Sequence, residues 1–185
     1  MSNRIAAITV AVAVTASLLA GCASKSKSAS SQVSTSATEV VPSTVTFNEV
    51  TVVGAATLAS KPQVQAKSVK KPSALEIKDL VVGTGAAATP ASTVTVQYVG
   101  VRYADGKQFD ASWDHGGATS FSLQQVVPGF TQGIGGSQGV PAMKVGGRRL
   151  MILPAALGYG TRGTPDGSIP PNSPIVFVVD LVGLG

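Results

Sequence analysis

Few residues of this 185-residue chain have the types and spacing that reaction chemistry needs. Gly135-Gly136-Ser137-Gln138-Gly139 has the spacing of a nucleophile elbow, a motif that requires a strand before the serine, a helix after it and a histidine further along the chain. The single histidine, His115, lies upstream of Ser137, so acyl transfer is not indicated. Gly83-Thr84-Gly85 has the look of a dinucleotide loop. Pro90 and the alternating run Thr93 to Tyr98 exclude the helix that such a loop must open, and the pair reads as a turn between strands. One histidine and scattered acids give no metal-ligand spacing. One cysteine, Cys22, gives neither an intrachain disulfide nor a thiolate cluster. His115, next to Gly116, reads as an exposed loop residue, and no metal or cofactor is expected.

What remains is apolar chemistry, and its oddest carrier is the stretch Gly158 to Asn172. Gly and Pro punctuate it too heavily for a helix or ladder, and a long irregular loop within a domain is usually functional or disordered. It nevertheless carries Tyr159 and Ile169. A tyrosine in a Gly-rich loop serves no helix or strand, which sets it apart from Phe130 or Phe177, each of which reads equally well as ordinary core.

The elements that must position these residues begin near Ser73. Leu75 to Val82 alternates, Ser92 to Tyr103 is a long β-branched and aromatic run, and Asp105-Gly106 is a strong hairpin signal joining it to Lys107–Ser112. Strands are expected at 119–123, 148–154 and 174–182. A short helix is expected over 127–134, with Pro128 in its first turn and glycines at its end. An antiparallel sheet needs a covered face, and that helix is the candidate cover, so the fold expected is α+β: a half-barrel wrapped around one short helix.

Ahead of this domain, Val45 to Val53 is β-rich and alternates, but Pro62 and Pro72 interrupt the stretch after it. Residues 45–72 are therefore expected to be an extension with one or two strands. Residues 22–44, rich in Ser, Thr, Ala and Lys, bury too little to offset ordering and read as a flexible tether. Residues 1–21 carry Arg4 and then an apolar run from Ile5 to Ala20, the pattern of a secretory signal. Leu19-Ala20-Gly21-Cys22 resembles the lipobox of bacterial lipoproteins. That resemblance implies cleavage before Cys22 and a diacylglyceryl group on its sulfur, two acyl chains being what stable anchoring takes.

The formal charge of +5 belongs to the N-terminal part. Residues 1–72 hold seven Lys/Arg against two acids, whereas 73–185 hold seven of each. A neutral folded domain argues against a nucleic-acid partner.

From Leu75 to Leu184 the segments VTVQYVGVRYADGKQFDAS, VVPGFTQGI, MKVGGRRLMILP, LGYG and IPPNSPIVFVVDLV occur in the order of the FKBP-type peptidyl-prolyl cis-trans isomerases, and the sequence resembles that family. The resemblance implies an apolar pocket between sheet and helix. Tyr98 would be its tyrosine, Phe109 and Asp110 its Phe-Asp pair, and Val126 and Val127 its two aliphatic residues before the helix. Phe130 would be its floor, in place of a Trp, and Tyr159, Ile169 and Phe177 its remaining lining. It also implies that the Tyr159 hydroxyl and the Ile169 N–H hold substrate carbonyls, and that Asp110 meets the displaced carbonyl or orients Tyr98. His115 stands near where some members carry an Arg that pairs with the pocket Asp, and Thr119 near where some carry a second Phe.

The partners implied are proline-containing polypeptides and, through Cys22, a membrane. The protein is expected to be exported and monomeric. A binding module that holds Pro-containing segments without turnover is the alternative on the same fold.

Overall fold

The computed structural model describes residues 43–185. The expected signal, Cys22 and the tether up to Pro42 lie outside the described residues. Within them, nine strands and one α-helix make up the fold: β1 Thr44–Phe47, β2 Val50–Val53, β3 Gln63–Ala66, β4 Glu76–Val81, β5 Thr93–Arg102, β6 Gln108–Ala111, β7 Thr119–Ser122, α1 Pro128–Gly135, β8 Arg148–Leu153 and β9 Ile175–Leu184.

The main sheet runs β4-β8-β9-β5-β6, antiparallel throughout. Strand β7 pairs with the first half of β5 (Thr93↔Ser122 to Val96↔Thr119) and β6 with the second half (Val99↔Ala111 to Val101↔Gln108). The two short strands thus share one edge of β5, and the chain between them, Ser112 to Ala118, leaves the sheet. Asp105-Gly106 joins β5 to β6 as expected. The loop is longer than a two-residue turn, because Gly106 N–H reaches back to Arg102 C=O at 2.9 Å with Gly106 at φ 71°.

Side chains of a strand alternate between faces, and here the alternation sorts the core into two layers. Val94, Val96, Met151, Leu153, Ile175, Phe177, Val179 and Leu181 face α1. Val99, Val101, Leu150, Ile152, Val176 and Val178 face the other way. Helix α1 starts at Pro128, where the missing N–H costs nothing, and ends against Gly136 at φ 87°. It can lie close to β8 because Gly129 and Gly133 face that strand. A Cβ on Gly133 would fall 2.2 Å from the sulfur of Met151, and one on Gly129 2.6 Å from Leu153.

Helix α1 covers its face as expected, and the second face has a cover of its own, which the sequence reading did not assign. Residues 44–66 form a three-stranded antiparallel sheet, β1-β2-β3, rather than one or two strands. Val50, Val52, Ala55 and Ala66 are buried in one cluster with Val99, Val101, Leu150, Ile152, Val176 and Val178. The run read as one alternating segment is folded in two by Asn48 and Glu49, which stand at φ 44° and 64°. Positive φ at both turn residues is what a two-residue hairpin with right-handed twist needs.

Adjacent arginines of β8 tie the layers together. Arg148 points to the extension: it makes a two-pronged ion pair with Asp180 (2.5 and 2.6 Å) and donates to the carbonyls of Gly54 (2.6 Å) and Ser60 (3.2 Å). Arg149 points to the helix side, pairing with Asp79 (2.6 and 3.0 Å) and donating to the carbonyls of Gly133 (2.8 Å) and Pro141 (2.6 Å). Both guanidinium groups are buried, and such groups are tolerated only with their hydrogen bonds filled.

The glycines of the dinucleotide-like stretch have a packing reason. A Cβ on Gly83 would fall 2.1 Å from the carbonyl oxygen of Lys144, and Ala87 bridges Lys144. Instead of turning between strands, the segment runs alongside residues 143–147. Ser137 follows α1 in a tight turn closed by Val140, the reverse of the order an elbow requires.

Candidate active site

Helix α1 is only eight residues long and covers part of its face of the sheet. At its N-terminal turn a cavity of about 400 Å³ opens between sheet, helix and the loop after β8. Tyr98, Phe109, Asp110, Val126, Val127, Phe130, Tyr159 and Phe177 line it, all anticipated from the sequence. Phe121 and Gln125 complete the wall and were not anticipated. The signal for Phe121 was its alternation within 119–123, which puts it on the same face of β7 as Thr119.

The floor is a set of aromatic rings, four of their five pairs edge-on and the fifth, Phe121–Phe130, tilted. Phe177 stands edge-on to Phe130 (5.0 Å), Phe109 (5.5 Å) and Tyr98 (6.1 Å). Tyr98 and Phe121 also meet Phe130, at 6.3 and 5.6 Å. Edge-to-face pairs are each worth about 0.5–1.5 kcal/mol beyond the area they bury, which favours this arrangement of the rings. Gly100 makes the box possible: a Cβ there would stand 2.7 Å from the Phe109 ring and 2.8 Å from that of Phe177.

Polar groups sit on one wall. Tyr98 donates its hydroxyl to Asp110 Oδ2 at 2.5 Å, and His115 Nε2 lies 3.1 Å from Asp110 Oδ1. The turn carrying His115 is anchored by buried Ser112, whose Oγ accepts the Tyr98 N–H (2.9 Å) and donates to Gln97 Oε1 (2.6 Å). Burial and then the hydrogen bond to Asp110 push the Tyr98 phenol far above its ordinary range. Burial, followed by the charges of Asp110 and Asp166, raises that of Tyr159. Both remain protonated donors at neutral pH.

Ile169 departs from the role implied for it. Its side chain is buried in the core cluster, and its N–H donates to Thr164 Oγ1 at 3.0 Å within the loop, so the amide is already engaged. A wall residue with an unengaged N–H is Val127. It caps α1, where the first amides of a helix have no intrahelical partner, and none of the described residues accepts from it. Among the described residues no group of three His, Cys, Asp or Glu side chains is placed to hold a metal ion.

An antiparallel half-barrel closed on one short helix, with an aromatic cavity between them, defines the FKBP fold class. The profile of FKBP-type peptidyl-prolyl cis-trans isomerases matches residues 85–182, and the chain belongs to that family. It is 44% identical over 126 residues to the FK506-binding protein of Streptomyces anulatus, a match spanning 67% of this chain and 97% of that protein. With the isomerase FkpA of Escherichia coli it shares 41% identity over 100 residues, 54% of this chain and 34% of that one. Among solved structures, AtFKBP13 superposes with a TM-score of 0.57 at 38% identity, covering 62% of this chain and 96% of that chain.

Proposed function

We propose that the chain isomerises X-Pro bonds of exported polypeptides by holding the twisted amide in the aromatic cavity. The observation that carries this reading is the box of edge-on rings around Phe177, open to solvent and bordered by the Tyr98–Asp110 hydrogen bond.

Rotation about an amide is slow because conjugation gives the C–N bond partial double-bond character, with a barrier of about 18–20 kcal/mol. At the top of the barrier conjugation is lost and the carbonyl is less polar than in either planar form. An apolar, water-poor cavity therefore favours the twisted form over the planar ones, with no nucleophile and no proton transfer. A thousandfold acceleration needs about 4 kcal/mol of such preference.

In this reading the proline ring enters over Phe177 and Phe130, between Phe109 and Tyr98. Val126 and Val127 form the aliphatic wall, and the unengaged Val127 N–H receives a substrate carbonyl. The Tyr159 hydroxyl serves as a second donor from the lip. Asp110 fixes the Tyr98 ring and borders the path of the rotating carbonyl.

A cis-trans exchange assay on short X-Pro peptides tests the reading. Wild type is expected to accelerate exchange, while Asp110→Val and Phe109→Ala lower kcat/KM at least tenfold and remain folded. Equal, near-background rates in all three proteins would leave a module that holds Pro-containing segments without turnover.

The lipobox supports a membrane-anchored location. We infer that Cys22 is lipidated and that residues 23–43 hold the domain off the membrane. Cys22→Ser is expected to release the protein into the soluble fraction, and unchanged retention in membranes would refute the anchor.

A further inference from the structure

We propose that Trp113 is a positioning residue through which the outer sheet β1-β2-β3 holds the polar wall of the cavity. This rests on the isomerase reading above. Wall and outer sheet meet on one turn, Ser112–His115, where the chain leaves the main sheet between β6 and β7. Ser112 serves the wall: buried, it accepts the Tyr98 N–H at 2.9 Å and donates to Gln97 at 2.6 Å. Asp110, two residues earlier, accepts from the Tyr98 hydroxyl. The next two residues of the turn serve the other layer. Trp113, the single tryptophan of the chain, packs against the cluster in which Val50, Val52, Ala55 and Ala66 of the extension are buried. Asp114 accepts from Lys61, between β2 and β3, at 2.6 Å and from Gln108 at 2.7 Å.

Of the two contacts with the extension, the ring is the stronger. Lys61 and Asp114 are both more than one-third exposed, and an exposed ion pair contributes little. Trp113 brings a large apolar surface to the layer, the kind of side chain that dominates packing energetics. Its Nε1 is buried without an acceptor, the only such side-chain atom among the described residues. Shape and apolar contact therefore hold the ring, not a hydrogen bond. Residues 44–66 lie outside the stretch 85–182 that the family profile matches, so this hold on the wall comes from beyond that stretch.

The coupling runs round the edge of the main sheet by way of the turn. Loosening the turn releases Ser112 and with it the Tyr98–Asp110 pair, which borders the path of the rotating carbonyl. The rings around Phe177 that receive the proline stay in place. The loss therefore falls on kcat and leaves KM unchanged, as expected for a group that matters only while the amide twists.

NMR exchange on an X-Pro peptide, run with the full chain over a range of peptide concentrations, separates kcat from KM. Trp113→Ala is expected to lower kcat about fivefold to tenfold, because small misplacements of a wall are costly. Trp113→Phe keeps a ring and loses no hydrogen bond, so it should restore most of the rate. Lys61→Glu, an exposed change that leaves the fold intact, sets a like charge beside Asp114 and should lower kcat about twofold. Val178→Ala weakens the same cluster from β9, two strands away from β6, and should lower stability without changing kcat. Unchanged kcat in Trp113→Ala or in Lys61→Glu overturns the proposal. An equal loss in Val178→Ala also overturns it, by reducing Trp113 to a general contribution to stability. A second readout is independent of turnover: the Tyr98 amide, compared with the amides of β9, should exchange hydrogen faster in Trp113→Ala than in wild type or Trp113→Phe. Equal protection in all three overturns the proposal. A wild type that accelerates nothing would instead sink the isomerase reading, with the Tyr98 amide still deciding the role of Trp113.

Discussion

The two faces of the main sheet are built from the same strands, yet one is sealed and the other is open. On the extension side, valines, leucine and isoleucine meet a second sheet and are buried against it. On the helix side the same strands present Tyr98, Gly100 and Phe177, and a helix of eight residues spans only about 12 Å. Flat, stiff rings opposite so short a cover leave a gap that aliphatic side chains would have collapsed into. The difference is written in the parity of β5 and β9: odd positions of β5 from Val99 on are aliphatic, and even positions carry the tyrosine and the glycine.

Removing an arginine from each face is the harshest way to test this comparison. Arg148→Ala leaves Asp180 buried without its partner and cuts two bonds to the extension. Denaturant unfolding should show a loss of about 3–5 kcal/mol, the usual cost of breaking a buried pair. Arg149→Ala should cost less, because Asp79 is one-third exposed and water can take it over. Equal losses would mean the two faces are equally closed.

Adjacent residues of β5 sharpen the contrast. Gly100→Ala drives a methyl into the Phe109 and Phe177 rings, and overpacking of this kind costs about 1–3 kcal/mol. Because the strain falls on the box, kcat/KM should drop about tenfold, the equivalent of some 1.4 kcal/mol. Val99→Ala, on the sealed face, should lower stability and leave kcat/KM unchanged. A loss of activity in Val99→Ala would show that the faces are not independent.

The smallest effect concerns alkaline stability. The Tyr98 phenol is raised in the folded protein, mainly by burial and then by Asp110. Folding thus favours the protonated form: the contribution is complete below the unfolded-state value, about pH 10, and fades as pH rises beyond it. Thermal melts from pH 8 to 11 should fall less steeply for Tyr98→Phe than for wild type.

Much of this architecture was legible in local pattern. Alternation marked β4 and the first half of β5, apolar and β-branched runs marked β8 and β9, Pro128 marked the start of α1, and the order of motifs identified eight residues that line one cavity. What escaped depends on contacts distant in sequence. Gln63–Ala66 is a four-residue strand with one aliphatic residue between polar neighbours, too weak a signal until β2 pairs with it. Whether a face is covered depends on Leu150 and Val178 meeting Val50 and Val52, and no periodicity in either segment announces that meeting. The engagement of the Ile169 N–H by Thr164, five residues away, comes from how one loop closes on itself. Neither residue type nor spacing encodes it.

The chain enters the described fold through β1, an edge strand of the outer sheet, while the cavity opens behind the opposite surface. Ser43, just ahead of β1, accepts from the Ala55 and Ala56 amides (2.9 and 2.7 Å) and β1 pairs with β2 over four residues, so the point of entry is pinned on the side away from the rings.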